Sequence, residues 1–149
     1  MLRIAFDIGG VLSKYPDLFR SLIQALNYTD THSVHATRNV EIYIISDIKP
    51  KEKAIAFLKD NGFYNDLFLS NILVADYNKY GEACKAVLCK EYAIDIFVDD
   101  HLGYLTPKSG AVRLLVMPDD SRPYYAASWK TDGSEGNFGR TACSKEEVL

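Results

Sequence analysis

The sequence predicts an α/β fold: a mainly parallel five-stranded sheet with helices on both faces. Short apolar runs recur along the chain, segments with helical spacing separate them, and three of the runs end in Asp7, Ser46 and Asp99-Asp100. Strands that alternate with helices favour βαβ crossovers, and parallel strands deliver their C-terminal ends to one edge of the sheet.

The first strand is Leu2–Phe6, an apolar run leading to Asp7 with Gly9-Gly10 marking a turn behind it. Apolar residues at helical spacing predict a helix over Asp17–Leu26. Asn27–Asn39, rich in Thr, Asn, His and Asp, reads as a polar loop before a second strand at Glu41–Ile45, closed by Ser46. Pro50 suits the start of a helix over Lys51–Asn61, and Gly62 suits its stop. A third strand lies within Phe68–Val74, an amphipathic helix over Gly81–Tyr92, a fourth strand over Ile94–Val98 and a fifth over Val112–Met117. From Asp119 onward the pattern fails. The tail is polar and without period, which predicts a core of residues 1–118 and an extension of residues 119–149 that is peripheral or partly disordered.

At 149 residues the chain suits one domain with a real core. Its net charge of -3 supplies no global basic field, so nucleic acid is possible as a partner but not indicated. The stretch before Asp7 is too short for a signal peptide's apolar core. No window approaches the roughly 18 apolar residues of a membrane span, so the expectation is a cytoplasmic protein without a membrane partner. Cys84, Cys89 and Cys143 are odd in number and form no CxxC pair, which argues for free thiols rather than disulfides or zinc.

The strand ends carry the chemistry. Asp7, Ser46 and Asp99-Asp100 would meet at one sheet edge, with Lys85 on a neighbouring helix. Carboxylates and waters suit a hard cation that keeps part of its hydration shell, while Ser and Lys donate to phosphate oxygens. The Gly9-Gly10 turn would bring backbone N–H groups to the same oxygens. Plainer readings stand beside these: Asp7 as a turn former, Ser46 as a strand terminator, and Lys85 as a solvated lysine with Lys79 as its alternative. His101 reads as an exposed loop histidine, or else as a phosphate or metal contact.

Four short motifs in order resemble those of the haloacid dehalogenase superfamily of phosphohydrolases, over roughly residues 2–117. Phe6-Asp7-Ile8-Gly9-Gly10-Val11 resembles the first motif and Ile44-Ile45-Ser46 the second. Lys85, 14 positions before Asp99, together with Ile96-Phe97-Val98-Asp99-Asp100 resembles the third and fourth. The resemblance implies a three-layer Rossmann-like core and hydrolysis of a phosphate monoester through an aspartyl phosphate on Asp7. It implies Asp7, Ser46 and Lys85 as catalytic residues and Gly9, Gly10, Ser46, Asp47 and Lys85 as the phosphate-binding set. Mg²⁺ would be held by Asp7, the Gly9 carbonyl, Asp99 and Asp100, with Asp100 the direct ligand and Asp99 supporting it. Sugar kinases and actin-like ATPases share Asp-Ile-Gly-Gly, but 149 residues cannot supply their two lobes. A receiver domain places its acidic pair after the first strand, the reverse of the order here.

Gly9 departs from the family pattern. It stands where an aspartate usually protonates the leaving group and then activates water, a contribution of about 10²- to 10⁴-fold. Slow turnover is therefore the expectation, with Asp17, His32 and His35 as conceivable substitutes. The alternative is a catalytically inactive module that binds phosphate and metal or a protein partner. The intervals from Asp7 to Ser46 and from Ser46 to Lys85 are filled by core elements, leaving no room for a cap domain. An open site of that kind would favour a large phosphorylated substrate, or a small one enclosed by an oligomer partner.

Overall fold

The computed structural model describes residues 1–26, 40–63 and 71–117. Five strands, β1 (Leu2–Phe6), β2 (Val40–Ser46), β3 (Ile72–Val74), β4 (Ile96–Asp99) and β5 (Val112–Leu115), form one sheet in the order β3-β2-β1-β4-β5. Every neighbouring pair is parallel. Helices α1 (Pro16–Leu26), α2 (Lys51–Asp60), α3 (Tyr77–Tyr80) and α4 (Cys84–Glu91) connect them. The architecture is α/β and consistent with a Rossmann-like fold.

Strand alternation sorts the core into two layers, since successive side chains point to opposite faces. Ile4, Phe6, Ile42, Ile44, Ile72 and Val98 face α1 and α2, meeting Phe19 and Ile23 of the first and Ala54 and Leu58 of the second. Phe6 and Phe19 pack edge to face with ring centroids 5.8 Å apart. Ala5, Tyr43, Ile45, Leu73 and Phe97 face the other way and pack with Cys84 and Cys89 of α4. Helices thus cover both faces, and central strands buried on both sides read as unbroken apolar runs.

The connections reverse direction at the centre of the sheet. The chain leaves β1 toward β2 and β3, then crosses back by α4 to β4 on the far side of β1 and continues outward to β5. The β1/β4 boundary is therefore a topological switch point, whose crevice at the carboxyl ends of the strands is where ligands bind in open α/β sheets. Phe6 pairs with Val98, and the Asp7 N–H donates to the Val98 carbonyl at 2.9 Å, so the two chains leave the sheet side by side as Asp7 and Asp99.

Several elements differ from their expected bounds. The helix expected over Gly81–Tyr92 is two pieces, a single 3₁₀ turn at Gly81–Ala83 and then α4, and the short helix α3 precedes it. Gly81 takes φ +59°, which no α-helix continues through, so Lys85 falls in the first turn of a new helix. The fourth strand starts two residues late because the Ile94 N–H closes back onto the Cys89 carbonyl at 2.8 Å, with Ala93 at φ 50°. The fifth strand stops at Leu115, before Met117. The third occupies Ile72–Val74, while the start of the expected stretch, Phe68–Ser70, lies outside the described residues. The expected loop at 27–39, with His32 and His35, and the extension at 119–149 also lie outside them. Gly62 ends α2 as expected, at φ +72°. Among the described residues no helix is long and apolar enough to cross a membrane.

Leu58 is fully buried where α2 meets the sheet. We expect Leu58→Ala to cost about 2–5 kcal/mol, the range for a leucine cavity in a packed core. Urea denaturation, read as a lowered midpoint at unchanged slope, checks this.

Candidate functional site

Two strand ends and one helix build the site at the carboxyl edge. β1 delivers Asp7 and then turns tightly through Ile8–Leu12. β4 ends on Asp99-Asp100, and α4 brings Lys85 up from the opposite face. Asp7, Asp99, Asp100, Lys85 and Ser46 are all buried. Burial of so many polar groups is costly unless they satisfy one another.

Lys85 does much of that. Its Nζ, with a fully buried side chain, donates to Asp99 Oδ2 at 2.8 Å and lies 2.9 Å from Asp7 Oδ1. The contact to Asp7 has the distance of an ion pair but not the alignment of a hydrogen bond, so Asp7 Oδ1 is buried without a hydrogen-bond partner. Asp99 Oδ1 accepts the His101 N–H at 2.7 Å. Both oxygens of Asp99 are thus engaged within the protein. Lys79, the alternative lysine, is exposed on α3, with its ammonium 4.9 Å from the ring centroid of Tyr80. It is Lys85 that meets the carboxylates.

The electrostatics follow from this burial. Desolvation raises the Asp7 pKa to about 7, against the pull of the Lys85 ammonium and with a further push from Asp99. Burial also raises Asp99, again opposed by Lys85. Burial alone works to lower the Lys85 pKa, but Asp99 and Asp7 outweigh it and hold the value above that of an ordinary lysine. One carboxylate oxygen each of Asp7, Asp99 and Asp100 lie within 4.8 Å of one another. The Asp7 oxygen that faces the Lys85 ammonium without a hydrogen bond is a ligand atom of the kind a hard cation takes.

Gly10 explains how Asp100 fits. Its φ is +71°, and a Cβ built there would collide with the Asp100 carboxylate. Its N–H donates to Ser13 Oγ at 3.0 Å, so it is engaged within its own turn. Gly9 differs: a Cβ there would meet nothing nearer than Asp7 Oδ2 at 4.0 Å, and its φ of −66° suits any residue. Packing therefore does not demand a glycine at position 9.

The remaining candidates divide. Ser46 ends β2, and its Oγ accepts the Ile48 N–H at 3.2 Å, which leaves the hydroxyl proton as a donor. Asp47 is exposed, and its Oδ2 accepts the Tyr104 hydroxyl at 2.9 Å. Asp17 is on the surface of α1, paired with Arg20 at 2.9 Å. His101 is half-buried, with its Nδ1 accepting the Gly103 N–H at 3.0 Å. Tyr104 had no motif to announce it, yet its ring lies 4.2 Å from Lys85 Nζ. A pocket of about 360 Å³ opens beside it, lined by Asp47, Lys49, Tyr77, Asn78 and Tyr104.

A scan against protein-family models finds no match to the chain, and searches of curated proteins and of solved structures find none either.

The raised Asp7 pKa carries a definite pH dependence. Between the unfolded value, about 3.9, and the folded value the native chain holds a proton that the unfolded chain has released. This contribution to stability is therefore complete below about pH 4 and is lost as pH rises toward about 7. In metal-free buffer we expect the urea midpoint of the native protein to fall over that window relative to Asp7→Asn. Parallel midpoint curves for the two proteins would refute it.

Proposed function

We propose that the chain is a phosphohydrolase of the haloacid dehalogenase type, acting on phosphate monoesters through Asp7. The observation that carries this reading is the buried Asp7–Lys85–Asp99 ion cluster at the β1/β4 switch point, with one Asp7 oxygen left without a hydrogen-bond partner. A buried lysine held between two carboxylates is expensive to maintain as structure alone, which favours a chemical use.

In this reading an Asp7 oxygen attacks phosphorus, the bond from phosphorus to the ester oxygen breaks, and the leaving group departs with the bonding pair as an alkoxide or phenolate. Water then attacks phosphorus and the bond to Asp7 breaks, returning the carboxylate and releasing inorganic phosphate. Lys85 balances charge on Asp7 and on the phosphoryl oxygens, and the Ser46 hydroxyl donates to one of those oxygens. Asp7, Asp100 and the Gly9 carbonyl would hold a divalent cation such as Mg²⁺. Asp99, with both oxygens already bonded, would support them. When bound, the cation supplies Lewis-acid stabilisation of the phosphoryl oxygens and favours the ionised form of Asp7.

At Gly9 the protein has no group to protonate a leaving alkoxide. Turnover then depends on the leaving group: aryl phosphates, whose phenolates leave without acid help, react best, and alkyl phosphates slowly. The same gap favours a second reading, a module that binds phosphate and cation without turnover. The open space at Gly9 makes the two separable.

With Mg²⁺ we expect hydrolysis of an aryl phosphate that Asp7→Asn abolishes. Gly9→Asp should raise alkyl phosphate turnover by about 10²- to 10⁴-fold, the span of a general acid/base. Steady-state release of inorganic phosphate reads all three proteins. No turnover by the native protein or Gly9→Asp would discard the enzyme in favour of the binding module.

A further inference from the structure

The ammonium of Lys85 has three N–H donors, and the two carboxylates account for only part of its surroundings. The ring of Tyr104 lies against it, with the centroid 4.2 Å from Nζ. We propose that Tyr104 is a positioning residue that acts through Lys85, its aromatic face keeping the ammonium dry and directed at Asp7. The inference rests on the proposed phosphate chemistry, since it is the phosphoryl charge that Lys85 is positioned to meet.

Tyr104 is held from several sides. Its hydroxyl donates to Asp47 Oδ2 at 2.9 Å, which ties the loop after β4 to the loop after β2. Its ring packs on His101 at 4.8 Å and edge-on to Tyr77 at 6.4 Å. Its N–H donates to the His101 carbonyl at 3.0 Å, and Arg113 donates to the carbonyl of Leu105, the next residue, at 3.1 Å. Gly103 lets the chain through where a Cβ would press on Glu82 and His101 at 2.8 and 2.9 Å. The ring is thus set in place by contacts that do not involve Lys85.

The energetic case follows from burial. A cation over an aromatic face gains most where water is excluded, and Lys85 is fully buried. Removing the ring would open a cavity beside Nζ. Water entering it would screen the charge that Lys85 presents to a phosphoryl group, and the long side chain would gain rotamers. The aromatic face, rather than the hydroxyl, is the part that acts on Lys85. The hydroxyl acts at one remove, through Asp47.

The test compares the native protein, Tyr104→Phe and Tyr104→Leu for affinity toward inorganic phosphate with Mg²⁺, measured by calorimetry. Affinity should fall about tenfold or more in Tyr104→Leu and stay within about threefold in Tyr104→Phe, which keeps the ring. The Lys85 ε-protons, read by NMR, should lie upfield from the ring current in the native protein and in Tyr104→Phe. Native affinity in Tyr104→Leu overturns the proposal, as does a loss in Tyr104→Phe equal to that in Tyr104→Leu. If Tyr104→Leu does not fold, unshifted Lys85 ε-protons in the native protein overturn it alone. Phosphate binding without hydrolysis of any ester refutes the enzyme and leaves the Tyr104 comparison decisive. A native protein that binds no phosphate refutes both.

Discussion

The ammonium of Lys85, enclosed between Asp7 and Asp99, is the interaction on which the rest of the site depends. Neither carboxylate would stand buried without it, and the ammonium would not stand buried without them. Removing one partner of such a pair costs about 3–5 kcal/mol because the other is left as an uncompensated charge. The three groups come from three elements, β1, β4 and α4, so the cluster also joins the central strands to the helix that packs across them. Its geometry is a property of the whole α/β layering rather than of any one loop.

The sheet topology supplies the reason these groups meet. β1 and β4 are neighbours whose onward connections run in opposite directions, so no crossover covers the space between their ends. Register then does the rest: Phe6 opposite Val98 leaves Asp7 and Asp99 leaving the sheet together. Gly10 yields its side-chain space to the Asp100 carboxylate, which lets a third acid approach without a clash. The result is a small region where three carboxylates converge and one Asp7 oxygen has no hydrogen-bond partner. The proposed function uses this convergence to hold a hard cation and a phosphoryl group.

Gly9 and Gly10 look alike in the sequence and differ completely in the structure. Gly10 is required twice over, by its positive φ and by Asp100, whereas Gly9 has an ordinary backbone and open space around it. A residue absent for steric reasons cannot be restored without repacking, but the side chain absent at Gly9 can. Under the proposed function, that separates binding from proton transfer and puts the second at a single replaceable position.

The sequence by itself determined the strands, the helices over α1 and α2, and the delivery of Asp7, Ser46 and Asp99-Asp100 to a shared edge. Apolar periodicity and turn residues are local signals, and parallel strands need no further information to place their ends together. It did not determine where the helix before β4 begins. The expected start at Gly81 is a 3₁₀ turn and α4 begins only at Cys84, because periodicity reports which face is apolar and not which φ a glycine adopts. Nor did it settle Lys85 against Lys79, since both lie in a helical stretch and only packing buries one of them. The role of Tyr104, and with it the use of the Asp47 carboxylate as its anchor, belongs to tertiary structure alone. Tyr104 and Asp47 are 57 positions apart, and no spacing rule connects them until the loops after β2 and β4 are folded side by side.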